Sequence, residues 1–102
     1  MKIYNKLVRD KILKILKKAG VKHKYHIADD AEYYTKLHDK LQEEIQEFVE
    51  NPCMEEFADI LEVLEAIGKY HKLDFGEIKT IKGIKQIERG AFYNKIILES
   101  TD

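Results

Sequence analysis

The chain has 102 residues, 44% hydrophobic and 36% charged, proportions that suit one helix-rich domain spanning 1–102 with heavily charged outer faces. A net charge of −1 gives no electrostatic ground for binding nucleic acid or a membrane surface. No apolar run approaches the roughly 20 residues that span a bilayer, no signal-peptide pattern is legible, and the lone Cys53 excludes an internal disulfide and fits a reducing, cytoplasmic setting.

The first element expected is a short helix through Lys18, with Asp10 as N-cap, Ile12, Leu13, Ile15 and Leu16 as its apolar side, and Gly20 as its stop. The basic residues Lys6, Arg9 and Lys11 cluster at its start and could contact phosphate or simply face water. Alternation over 22–27 predicts a short strand. Asp29-Asp30-Ala31-Glu32 has the form of a capping box opening a long helix to about Glu50. In that helix Tyr34, Leu37, Leu41, Ile45 and Phe48 keep the three-and-four spacing of a one-sided apolar stripe.

Asn51 as N-cap and Pro52 as first helical residue would start a second helix at once, making an antiparallel hairpin. Its stripe is Phe57, Ile60, Leu61, Leu64 and Ile67, ending near His71. Asp74 to Glu77 offers another capping box, for a fourth helix to about Arg89 that Gly90 stops. The apolar segment 93–98 reads as a second strand, expected to pair with 22–27 as a small antiparallel ribbon leaning on helices or on another subunit. The fold class predicted is therefore mainly α: an antiparallel bundle of about four helices with a two-stranded ribbon.

The hairpin carries acids in a pattern. At roughly 100° of rotation per residue, Glu44 lies roughly 60° and Glu47 roughly 120° from the middle of the first stripe, and Glu56 and Asp59 repeat those offsets on the second. Glu43, Glu55 and Glu62 point nearly the opposite way, toward solvent. If the two borders face each other, four carboxylates converge, and without cations some would have to take up protons. A hard divalent ion such as Mg2+ removes that conflict, and its remaining positions accept phosphate oxygens. The bland alternative is two solvated E-x-x-E and E-x-x-D pairs.

Other chemistries find little support. None of the histidines at 23, 26, 38 and 71 follows a Glu by three residues, as a di-iron bundle requires. There is no Gly-x-Ser-x-Gly turn and no Gly-rich phosphate loop. Tyr33, Tyr34 and Phe48 could stack on a base, but aromatic rings at helical spacing are more often core.

The run Lys40-Leu41-Gln42-Glu43-Glu44-Ile45-Gln46-Glu47, followed by Glu55-Glu56-Phe57-Ala58-Asp59-Ile60-Leu61, resembles the all-α nucleoside triphosphate pyrophosphohydrolases of the MazG type. The opening Tyr4-Asn5-Lys6-Leu7-Val8-Arg9-Asp10-Lys11-Ile12 and the ending Glu88-Arg89-Gly90-Ala91-Phe92 resemble the small, stand-alone, phosphoribosyl-ATP pyrophosphohydrolase-like branch. Two positions depart from that branch: Leu13 stands where proline is common, and Ala91 where a second glycine is.

The resemblance implies that Glu44, Glu47, Glu56 and Asp59 are Mg2+ ligands (Mn2+ being a possible substitute) and that water attacks between the α and β phosphates, giving a nucleoside monophosphate and pyrophosphate. One acid would act as base. Glu47 is the first choice, since its larger offset leaves it freer to hold a water, and Glu56 is the acid whose amide should end turnover. Lys6, Arg9, Lys11, Lys40 and Arg89 become candidates for the substrate's phosphates. Relatives assemble as dimers or tetramers, so a homodimer or homotetramer is expected. The function expected is nucleotide-pool house-cleaning. The alternatives are phosphoribosyl-ATP hydrolysis in histidine synthesis and a non-enzymatic helical interaction module.

Overall fold

Among the described residues, 2–102 of this computed structural model, all regular structure is helical: α1 (Ile12–Lys18), α2 (Asp30–Glu50), α3 (Met54–Tyr70) and α4 (Phe75–Arg89). No helix is long and apolar enough to cross a membrane. The chain divides into two units, one ending at His71 and the other Lys72–Asp102.

In the first unit α2 and α3 are the helices in extensive contact. Their direction follows from two ring pairs. Phe48 meets Phe57 beside the turn, at 5.6 Å between centroids, and Tyr34 meets Tyr70 at the far end, also at 5.6 Å. Only an antiparallel hairpin joins both pairs. α2 starts where the Asp29 carboxylate accepts the Glu32 N–H at 2.8 Å, satisfying one of the free donors of a helix start. The expected box is half closed, because the Glu32 side chain bonds His26 Nε2 at 2.9 Å. α2 ends at Asn51, whose N–H donates to Glu47 O.

This use of Asn51 changes the expected start of the next helix. Asn51 closes α2 instead of capping α3, Pro52 lies between the helices, and α3 begins at Met54 behind an extended Cys53 that makes no side-chain cap. The first-turn acids Glu55 and Glu56 complement the positive end of α3. α1 likewise starts behind Lys11 rather than Asp10, without a side-chain cap. Gly20 stops α1 as expected: at φ 73° it lets Val21 N–H reach Leu16 O and its own N–H reach Lys17 O, the paired bonds of a Schellman motif.

The packed line is Leu37, Leu41, Glu44 and Phe48 on α2 against Ile60, Val63 and Ile67 on α3, with Leu37 fully buried and Val63 nearly so. Tyr34, Ile45, Phe57, Leu61 and Leu64, which the sequence stripes include, stay 44–53% exposed. One partner helix covers only one side of an apolar sector, and the centres of the stripes averaged the covered side with an uncovered one.

In the second unit the Asp74 carboxylate accepts the Glu77 N–H at 3.0 Å, and Gly90, at φ 84°, ends α4. Ile78, Ile81, Ile84 and Ile87 recur every three residues rather than every 3.6. Their row therefore winds round the helix, from 38% exposed at Ile78 to 87% at Ile87.

The expected ribbon of 22–27 with 93–98 is absent: no strand occurs among the described residues. The two segments fall in different units. Lys95, at φ 58°, breaks the extended run that 93–98 would need. Two strands alone are in any case marginal in water, and Ile27, Tyr93, Ile96 and Ile97 are all at least 80% exposed.

Candidate metal centre

Glu44 belongs to the packed line itself, and this decides the character of the site. It points from α2 toward the α3 turn that carries Glu56 and Asp59, and its side chain is only 8% exposed. One carboxylate oxygen from each of Glu44, Glu56 and Asp59 lies within 4.8 Å of the other two. A second group, Glu43, Glu44 and Glu47, meets the same criterion. The four expected acids thus fall, together with Glu43, into two overlapping triads that share Glu44, rather than into one ring of four.

Two oxygens in the first triad, Glu44 Oε2 and Glu56 Oε2, are buried without a hydrogen-bond partner among the described residues. Buried polar atoms are normally satisfied, and an orphaned carboxylate oxygen is costly. Two of them, on facing helices and on acids that converge with Asp59, belong to a donor set suited to a hard cation, which takes oxygen ligands.

Four other oxygens of the two triads are held by cations. Lys40 Nζ lies 3.3 Å from Glu44 Oε1 and 3.4 Å from Glu43 Oε2. Lys6 Nζ donates to Glu43 Oε1 at 2.9 Å and Arg9 Nη2 to Asp59 Oδ1 at 2.7 Å. Burial pushes the Glu44 carboxyl above the usual range; the Lys40 ammonium opposes this and the Glu47 charge adds to it. Glu43 ends below that range: burial would raise it, but Lys6 and Lys40 together outweigh the burial. The Lys6 ammonium is raised, chiefly by its bond to Glu43.

Of the basic candidates, Lys6, Arg9 and Lys40 therefore adjoin the acids. Lys11 makes no ion pair among the described residues, and Arg89 sits in the last turn of α4, in the second unit. Glu55 and Glu62 face water as expected, but Glu43 does not. Its spacing of three from Lys40 was a legible signal; its bond to Lys6, from a distant part of the chain, left none. The aromatic candidates take a packing role, Phe48 on Phe57 and both Tyr33 and Tyr34 on Tyr70. None of the histidines joins either acid group.

No family model, curated protein or solved structure matches the chain. The reading of this centre rests on its own geometry.

Proposed function

We propose that the chain is a Mg2+-dependent nucleoside triphosphate pyrophosphohydrolase of the MazG type, cleaving between the α and β phosphates in nucleotide-pool house-cleaning. The observation that carries this reading is Glu44: an acid shut between two helices, one oxygen orphaned, beside a second orphaned oxygen on Glu56. Glu44, Glu56 and Asp59 would hold the ion, and Glu47, on the other triad, is available as a further ligand or as the base for the attacking water. Mg2+ held by these acids would supply charge neutralisation on the phosphates and lower the pKa of bound water. Lys40, Lys6 and Arg9 ring the acids and would meet the triphosphate, stabilising charge that develops on the departing pyrophosphate.

We further infer assembly as a homodimer or homotetramer. Phe57, Leu61 and Leu64 present an apolar face of α3 that α2 leaves uncovered, and a second copy would bury it.

The test is a panel of nucleoside triphosphates assayed for pyrophosphate against orthophosphate, with and without Mg2+. Metal-dependent pyrophosphate release is expected. Orthophosphate as the first product would contradict cleavage between α and β, and silence across the panel would point to a narrower substrate such as phosphoribosyl-ATP or to an interaction module.

A further inference from the structure

The basic segment ahead of α1 is tied to the hairpin at several points. Lys36 Nζ donates to the Asn5 carbonyl at 2.7 Å, and Asn5 itself adopts a left-handed conformation, φ 47°. Lys6 reaches Glu43. At the other end the Arg9 carbonyl accepts the Ile12 N–H, fixing the backbone to the start of α1. Between these ties the Arg9 guanidinium holds Asp59 Oδ1, and its side chain is 58% exposed. The two acid contacts differ in kind. Glu43 lies outside the triad with the orphaned oxygens and is held by two ammonium groups, Lys6 and Lys40. Asp59 lies inside that triad and, among the described residues, is held by Arg9 alone.

Resting on the reading of that triad as a metal site, we propose that Arg9 is an exchangeable counter-ion. It occupies Asp59 while the metal is absent, and a divalent ion entering beside Glu44 and Glu56 expels its guanidinium, which then serves the substrate's phosphates. A cation binding Asp59 competes with Arg9 for that one carboxylate, and like charges so close repel. The backbone does not need to move, because Asn5, Lys6 and the Arg9 carbonyl keep their own partners. The exposed guanidinium swings out into water, where an incoming polyphosphate is the next strong acceptor. Metal loading and phosphate capture are thereby ordered: the ion arms the arginine.

The full-length chain is titrated with MgCl2 alone by calorimetry, as wild type, Arg9→Gln and Lys11→Gln, while the Arg9 guanidinium is followed by nitrogen-15 NMR. The same signal in Asp59→Asn marks a released arginine. The Arg9 signal is expected to move to the released position as Mg2+ saturates the protein. Arg9→Gln should bind Mg2+ about two- to fivefold tighter than wild type, the scale of one exposed ion pair. Lys11→Gln, which removes the same charge without touching Asp59, should change little. Saturation with an unmoved Arg9 signal, or equal effects of the two variants, overturns the exchange and leaves the metal centre standing. Absence of Mg2+ binding in both wild type and Arg9→Gln removes the centre and the exchange together.

Discussion

Lys40 and Glu44 face each other one turn apart on α2, Nζ 3.3 Å from Oε1, with side chains only 17% and 8% exposed. The pair sits where water screens little, so its members are not separable. Lys40→Met leaves Glu44 with both oxygens unsatisfied and should destabilise the metal-free protein by about 1–3 kcal/mol, the scale of an unpaired buried group. Urea unfolding measures it, and Lys40→Met with Glu44→Gln should recover most of the loss. Equal losses in the single and double variants would mean that the pair is not coupled.

Glu56→Gln keeps the shape of the side chain and removes the charge. The proposed centre then loses a ligand. Pyrophosphate release should disappear, and the rise in Tm expected of the wild type with Mg2+ should shrink toward zero, with helicity by circular dichroism unchanged. For the wild type that rise reflects about 2.7 kcal/mol when the ion is at a hundredfold its Kd. A Glu56→Gln protein with full turnover would remove this residue from the site.

The acids also set opposite pH dependences. The folded pKa of Glu44 is raised above its ordinary 4.5, first by burial. Its contribution to stability is therefore complete below that value and is lost as pH rises through the folded pKa. The folded pKa of Glu43 is lowered, because Lys6 and Lys40 outweigh its burial; its contribution is present above the ordinary value and is lost as pH falls through the folded one. In metal-free protein Glu44→Gln should abolish the loss on the rising side, while Glu43→Gln should flatten the loss on the acid side. Chemical denaturation across the acid range, on each variant, separates the two. Mg2+ should protect more at neutral pH than in acid, where protons compete for the same oxygens.

Leu37 and Leu61 test the two sides of the hairpin. Leu37 is 1% exposed, and truncation to Ala should cost about 2–5 kcal/mol. Leu61 is 53% exposed in the single chain. Leu61→Glu should leave the hairpin folded but reduce self-association, read by sedentimentation equilibrium as a smaller assembly at the same concentration. Unchanged mass would show that this face is not the one a second copy covers.

The hairpin, the caps of α2 at Asp29 and of α4 at Asp74, the stop at Gly20 and the pairing of acids from two helices were legible because they are local. Capping, glycine conformation and helical period act over a few residues. The start of α3 was misplaced because Asn51 could serve either helix, and α2 took it. The depth of Glu44 was understated because the apolar stripes run wider than the contact with one partner, which hid where that partner lies. Val63, buried at 9%, fell outside the stripe for the same reason. The ribbon failed at Lys95, a residue with no sequence mark of a left-handed turn. The bonds from Lys6 and Arg9 to the acids cross 37 and 50 positions, and no periodicity reports contacts of that range.

Every acid in the two triads falls between residues 43 and 59, on a single helical hairpin closed by Asn51, Pro52 and Cys53. A gene segment encoding that hairpin would carry the whole donor set with it. Insertions, fusions or shuffled neighbours on either flank could then rewrite what the chain recognises while the acidic hairpin passed intact from one architecture to the next.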